Sequence, residues 1–278
     1  TEGKTEVLDA DLSAYFDTIP HEKLKKTLEL RIADPGILKL IKMWLQCPVI
    51  EKGKNRGKSN KGTPQGGVIS PLLANIYMHL VDRIVGNTNS VFQQAGIKIV
   101  RYADDFILMG KKITQEATDK LREILSRMEL VLNETKTHEV KAMEEAFNFL
   151  GFTIRYDDDI KGRNKKYWNI IPAAKSENKV REKIRAYLQT AGHYAPQSVA
   201  AGLNAILRGW LNYYDIPEVS YPATSKRRLR YYLINKLNRY YNRKSQRRSR
   251  LYGSQAYEVL VRKYGLIEPT KFLVKRQL

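Results

Sequence analysis

Apolar and polar positions alternate along residues 5–16, TEVLDADLSAYF, which predicts a strand with Asp9 and Asp11 on one face. Apolar residues then recur at helical spacing through 21–32 and 36–47, with Pro35 and Gly36 between the two segments. The Gly-, Lys- and Asn-rich run 51–62 predicts a hairpin tip. Ser70 at the N-cap and Pro71 at the first helical position open a helix over 70–85. Residues 98–110, KIVRYADDFILMG, read as a hairpin. A helix over 114–128 follows, then strands over 130–140 and 147–156. This alternation predicts an α+β unit, a sheet layered with helices.

After the polar run 157–168 the pattern changes. Residues 175–191, 196–213, 221–244 and 254–264 carry helical periodicity with little strand signal. The expected division is a unit over 1–173 and an all-α unit over 174–278.

Charge sharpens that division. The 278-residue chain has a net charge of +20, with 22 basic and 20 acidic residues in 1–150 against 27 and 9 in 151–278. A one-signed excess in a folded unit attracts a polyanion, and nucleic acid is the usual one. The single cysteine, Cys47, excludes an intramolecular disulfide, and four scattered histidines argue against a catalytic zinc. No apolar run reaches membrane-spanning length. These features predict a cytoplasmic protein with no membrane partner.

The adjacent carboxylates Asp104 and Asp105 sit between two apolar runs. Two like charges side by side are costly unless something positive absorbs them. Read alone, the doublet is a polar turn. If two strands of one sheet join it to Asp9 or Asp11, which share a face, the cluster offers oxygen ligands to Mg²⁺. Two such ions about 4 Å apart serve phosphoryl transfer.

YADD, preceded by DADLSAYFD and by TPQGGVISPLLANIY, resembles the palm of a reverse transcriptase, and more closely that of group II intron-encoded reverse transcriptases. The motifs stand in family order. The resemblance implies Asp11, with the backbone carbonyl of Leu12, as a ligand on the first strand, Asp104 as the second shared ligand and Asp105 as its neighbour. Asp11 is preferred over Asp9 because the family's spacing to an aromatic ends at Phe16. That ring is implied to be a steric gate against the ribose 2′-hydroxyl. Gln65 and Gly66 are implied to line the nucleotide pocket, Lys136 to stand near the leaving pyrophosphate, and Phe149, Leu150, Gly151 and Phe152 to form the primer grip. Two Mg²⁺ ions, an RNA template, a DNA primer and dNTPs are the implied cofactors and partners.

The second half resembles the thumb and maturase-type X region of the same proteins, most distinctively in LRGWLNYY (207–214). Residues 225–250 hold eleven basic residues, no acidic one and two Tyr-Tyr pairs. Arg208, Lys226, Arg227, Arg228, Arg230, Lys236, Arg239, Arg243, Arg247 and Arg248 are expected to face nucleic acid. Leu229, Leu233 and Leu237 recur at the spacing of a packed stripe, with the tyrosines mostly in core contacts. Structured intron RNA is a further implied partner. An RNA-binding splicing cofactor, or a relative from CRISPR adaptation or phage defence, is the alternative to a polymerase. The sequence starts close to the first aspartate motif, so the family's fingers are expected from an upstream segment or another subunit. No HNH-like region or zinc-ligand cysteine set follows, and no target-DNA cleavage is expected of this chain.

Overall fold

β1 (Glu6–Ala10) is the strand around which the first half is organised. After it come α1 (Tyr15–Thr18), α2 (His21–Glu29), α3 (Pro35–Leu45), β2 (Ile50–Glu51), β3 (Lys54–Asn55), α4 (Ser70–Val85) and α5 (Val91–Gln94). β4 (Lys98–Tyr102), β5 (Asp105–Gly110), α6 (Gln115–Arg127) and β6 (His138–Lys141) complete this unit. The computed structural model describes residues 2–48, 59–64, 66–159, 165–243 and 251–274, with the backbone of 50–51 and 54–55. The chain forms two compact units, Thr1–Glu145 and Ala146–Leu278.

The first unit's main sheet is antiparallel, in the order β4-β5-β1-β6, with Leu8 opposite Leu108 and Ala10 opposite Phe106. Side chains alternate across a strand, so Leu8, Ala10, Phe106 and Leu108 enter one core with Tyr77 and Met78 of α4 and Leu121 of α6. The opposite face keeps Asp9, Asp11 and Asp105. The predicted α+β class is therefore present.

Local chemistry moves several predicted boundaries. Pro35 is the first residue of α3, not a spacer, because the Asp34 carboxylate accepts from the N–H groups of Gly36 and Ile37. Ser70 is the first residue of α4, not its cap. Its hydroxyl donates to the Pro64 carbonyl at 2.7 Å. The strand predicted over 130–140 is broken: Leu132 bridges Leu12, a turn follows at Asn133, and β6 begins only at His138. Of the hairpin tip predicted over 51–62, the described backbone shows Glu51 paired with Lys54 and Ile50 with Asn55, while 52–53 and 56–58 lie outside the described residues.

In the second unit β7 (Phe147–Phe149), β8 (Phe152–Asp158) and β9 (Lys166–Pro172) make an antiparallel sheet. α7 (Ala174–Thr190), α8 (Pro196–Tyr214), α9 (Ala223–Arg243), α10 (Ala256–Tyr264) and a short 3₁₀ turn follow. The single strand predicted over 147–156 is a hairpin, since Leu150 and Gly151 both take left-handed conformations, φ 49° and 79°. The polar run taken as a break supplies the strand partner: Tyr156 faces Trp168, ring centroids 5.0 Å apart.

The units divide after residue 145, whereas the sequence pattern places the boundary at 173. The three strands belong with the helices because Phe152 packs into the helical core beside Trp210 and Tyr214. Leu188, Leu203, Leu207, Leu229, Leu233 and Leu237 form that core's centre. Among the described residues no helix is long and apolar enough to cross a membrane.

One polar knot ties the end of the chain to this core. Tyr257 donates to Glu268 at 2.7 Å, and Arg230 pairs with the same carboxylate at 3.1 Å. Burial raises the Glu268 pKa, but donation from Tyr257, Thr270 and Arg230 outweighs it and holds the carboxyl below its ordinary value. A depressed carboxylate stabilises the fold above its unfolded pKa, and that contribution is lost as pH falls through the folded value. Glu268→Gln should therefore lower unfolding free energy at pH 7 by about 1–2 kcal/mol. The deficit should shrink progressively below pH 4.5, the ordinary value. Urea titrations of both proteins across that range check it, and a deficit independent of pH would refute it.

Candidate active site

The β1–β5 ladder ends at Ala10 opposite Phe106. One more step of that register would set Asp11 opposite Asp105, and the charge of Asp11 does reach Asp105. Beyond the ladder, Ser13 N–H donates to the Val131 carbonyl and Asn133 N–H to the Asp11 carbonyl, each flanking the Leu12–Leu132 bridge. Leu12 is thus a non-hydrogen-bonded pair member, and its own carbonyl points to the opposite side, toward β5. Two distant motifs meet here because antiparallel pairing, and not chain proximity, sets the register.

The electrostatics record the crowding. Burial raises the Asp105 pKa, and the charges of Asp104 and Asp11 raise it further. Burial likewise raises that of Asp9; His138, with Nε2 at 3.9 Å, opposes the shift, while Asp105 and Asp11 add to it. Asp9 therefore belongs to the same electrostatic cluster as Asp11, as the shared face predicts. Asp11 itself is turned toward cationic and amide partners: Lys136 Nζ lies 3.0 Å from Oδ2 and Asn133 Nδ2 donates to the same oxygen at 3.3 Å. Lys136, expected near a leaving group, is here the counter-ion of Asp11.

Among the described residues no three His, Cys, Asp or Glu side chains converge closely enough to hold a metal ion. The chemistry of the donor set nevertheless fits a hard divalent cation: carboxylate oxygens, and mutual repulsion that a cation relieves.

Phe16 is partly buried against the first unit's core, edge-on to Tyr15 with centroids 5.4 Å apart. Its carbonyl accepts from the Thr63 N–H at 2.6 Å and from the Thr63 hydroxyl at 3.3 Å. Gly62 N–H donates to Ile19, and His21 Nε2 to the Gly62 carbonyl at 2.6 Å. Residues 60–63 thus run clamped against 16–21. Gly62 is required there: φ is +86°, and a Cβ would sit 2.9 Å from the Asp17 carbonyl oxygen. The sequence assigned no role to Gly62, Thr63 or His21, although the TPQGGVISPLLANIY motif begins at Thr63. Gly66 is exposed with φ 90°, and Gln65 lies outside the described residues.

In the second unit Phe149 and Phe152 are buried, so only the Leu150–Gly151 tip of the predicted primer grip is presented. Tyr213 donates to the Leu150 carbonyl at 2.9 Å, while Phe152 stacks on Tyr213 at 5.7 Å. The LRGWLNYY helix buttresses this turn.

The predicted basic surface separates into two groups. Lys226 is buried, bonded to Asp215 at 2.5 Å and to the Phe272 carbonyl, so its expected role on nucleic acid is corrected to a core ion pair. Arg230 is engaged by Glu258 and Glu268. Arg208, Arg227, Arg228, Arg239 and Arg243 are exposed and Lys236 half-buried, while Arg247 and Arg248 lie outside the described residues. Arg228 stands 3.5 Å from Glu177. Lys236, Arg239, Tyr240 and Arg243 line a cleft of about 340 Å³ with Arg185 and Gln189 of α7, and among the described residues no acid lines it. Arg185 was missed because α7 mixes both signs, and only the packing selects its basic edge.

Residues 1–154 match the family described as reverse transcriptase (RNA-dependent DNA polymerase), and residues 177–253 match the group II intron, maturase-specific domain. The chain is 33% identical to protein YkfC of Escherichia coli K12 over 175 residues, 52% of this chain and 45% of that protein. It is 40% identical over 78 residues to the group II intron-encoded protein LtrA of Lactococcus lactis, 28% of this chain and 13% of LtrA. A telomerase from Candida tropicalis, solved with a fragment of telomeric RNA, matches at 14% identity and a TM-score of 0.44, covering 92% of this chain and 45% of the other. The chain spans less than half the length of the curated relatives it matches.

Repulsion among the aspartates makes a direct prediction. Asp105→Asn should raise the unfolding midpoint in chelator-treated buffer by roughly 2 °C, the response of a domain this size to ~0.5–1 kcal/mol. Differential scanning fluorimetry checks it. An unchanged or lowered midpoint would show that the cluster stores no repulsion.

Proposed function

The chain belongs to the reverse transcriptase (RNA-dependent DNA polymerase) family, and from that premise we propose that it is an RNA-directed DNA polymerase of group II intron type. It would transfer nucleotides from dNTPs onto a primer 3′-hydroxyl paired to an RNA template. The observation that supports this most is the register that carries Asp11 toward Asp105 at the end of β1 and β5. Asp11, Asp104 and Asp105, with the Leu12 carbonyl, would hold two Mg²⁺ ions. Bound there, such ions would supply positive charge to the attacking and departing oxygens.

The remaining steps belong to the chain's own residues. Asp11 exchanges its Lys136 partner, which frees the ammonium to face the departing pyrophosphate. Phe16 presents its ring where a ribose 2′-hydroxyl would lie, and the Thr63 clamp on its carbonyl keeps the ring from retreating. The Leu150–Gly151 tip supports the primer end. Arg185, Lys236, Arg239 and Arg243 take backbone phosphates of an RNA-containing duplex, recognised by shape and charge instead of base edges.

The match of residues 177–253 to the maturase-specific domain favours a second reading, that the same basic surface grips structured intron RNA to assist splicing. Primer extension on an RNA template with dNTPs and Mg²⁺ separates the two. With the natural full-length polypeptide, extension should occur and should disappear in Asp105→Asn, while affinity for intron RNA stays within about twofold. RNA binding without extension by the unmodified protein would leave only the splicing reading.

The cleft adds an independent prediction. Arg239→Ala combined with Arg243→Ala should weaken duplex binding and reduce the magnitude of the log K–log salt slope by roughly 2. Fluorescence anisotropy at several salt concentrations measures both. An unchanged slope would remove these arginines from the phosphate contacts.

A further inference from the structure

The turn that carries Asp104 is not shaped by its own sequence. Ala103 has φ 57°, a left-handed conformation that glycine, asparagine and aspartate tolerate and that alanine adopts at a cost. Only Ala103 and Asp104 connect the last pair of the β4–β5 ladder, Tyr102 opposite Asp105. Something outside the turn must hold it.

That restraint is Arg101. Its side chain is 12% exposed and lies against α4. Nε donates to Asp82 Oδ1 at 2.8 Å and Nη2 to Asp82 Oδ2 at 2.5 Å, a two-pronged fork on one carboxylate. Nη1 donates to Asn75 Oδ1 at 3.0 Å and to the Ala103 carbonyl at 2.8 Å. One guanidinium thus ties two positions of α4, seven residues apart, to the backbone of the residue just before Asp104. Tyr15, beside the Phe16 gate, hangs from the same helix through a 2.6 Å bond to the Ala74 carbonyl. The aspartate turn and the gate share one support but use separate attachments.

We propose that Arg101, held by Asp82 and Asn75, is a positioning residue that sets the Ala103 turn and thereby aims Asp104 and Asp105 at the ions they bind. This rests on the polymerase reading above. Arg101 is aimed at the backbone and at α4, so it touches neither nucleotide nor ion. Lysine keeps the charge but not the fork, since a single ammonium cannot present parallel donors to Asp82 while reaching Ala103. The geometry, and not the charge alone, is what the site requires.

The test compares Arg101→Lys, Arg101→Ala and Asp82→Asn with the unmodified full-length protein. Mn²⁺ affinity is read by electron paramagnetic resonance without substrates, and amide hydrogen exchange is followed at residues 103–105. Primer extension, template–primer affinity and dNTP-over-rNTP selectivity complete the set. Arg101→Lys should weaken Mn²⁺ binding and lower kcat by ~10–100-fold, the range for partners that orient metal ligands. Exchange at 103–105 should quicken, while template–primer affinity and sugar selectivity stay within about twofold. Phe16→Ala should show the reverse, altered sugar selectivity with unchanged Mn²⁺ affinity. If Arg101→Ala does not fold, Asp82→Asn, which keeps the side chain's shape, decides with a smaller loss of the same kind. Variants with unaltered Mn²⁺ affinity and kcat, beside an active unmodified protein, overturn the positioning role and leave the polymerase reading intact. An unmodified protein that neither extends a primer nor binds Mn²⁺ overturns both.

Discussion

Four carboxylates held at the end of two hydrogen-bonded strands repel one another, and the first unit is organised to keep them there. Asp9 and Asp11 cannot separate from Asp105 without breaking the β1–β5 ladder, which buries Leu8, Ala10, Phe106 and Leu108 on its other face. The hydrophobic effect therefore supplies the force that holds like charges together. A one-residue slip in that register would exchange the aspartates with the core residues. Burial and neighbouring charge raise the pKa of Asp9 and Asp105, so their separation is insufficient to make them independent. Lys136 and Asn133 relieve Asp11, and both come from the turn that interrupts the strand predicted over 130–140.

The site is also a set of restrained turns. Ala14 and Ala103 occupy left-handed conformations at the starts of the segments carrying Phe16 and Asp104, and Leu150 does so at the tip of the expected primer grip. No glycine stands at these three positions, so each conformation depends on contacts from elsewhere. Arg101 holds Ala103, and Tyr213 holds the Leu150 carbonyl. At Gly151 the neighbour decides the residue: a Cβ there would lie 2.6 Å from the Tyr214 hydroxyl. Rigid elements thus impose backbone shape on the short stretches that are proposed to meet substrate.

What could be read in the sequence follows from how local each signal is. Period-two alternation revealed β1 and the shared face of Asp9 and Asp11, and helical spacing revealed α2, α4, α6 and all four long helices of the second unit. The hairpin inside FNFLGFTIRY stayed hidden because Phe149 and Phe152, although adjacent to the turn, continue an apolar run. Its partner strand β9 was masked by polar residues, since that sheet buries only part of one face. Among the basic residues, sequence could not separate Lys226 from its neighbours. Its burial depends on Asp215, eleven positions earlier, and on the Phe272 carbonyl, both non-local. The aspartate doublet was legible as chemistry, whereas its support by Arg101, Asn75 and Asp82 required the fold.

In the second half the few acids and the many bases serve different ends. Only nine acidic residues occur in 151–278, and the most buried of them are committed to internal partners. Asp215 takes Lys226, Glu268 takes Arg230 and Tyr257, and Glu177 takes Ser225 with Arg181 and Arg228 nearby. Buried carboxylates require such partners, because an unpaired charge in the core is strongly destabilising. Each internal pair takes up one charge of each sign, so it leaves the excess of 27 basic over nine acidic residues in 151–278 unchanged. The surface that remains is cationic because basic residues outnumber acidic ones, and among the described residues the α7–α9 cleft is lined by Arg185, Lys236, Arg239 and Arg243 with no acid. Replacing a cleft arginine alters the field seen by a polyanion, whereas replacing Asp215 or Glu268 alters the fold that displays it. The cations Lys226 and Arg230, committed to those acids, share one helix, α9, with the cleft cations Lys236, Arg239 and Arg243, and only their packing environment tells them apart.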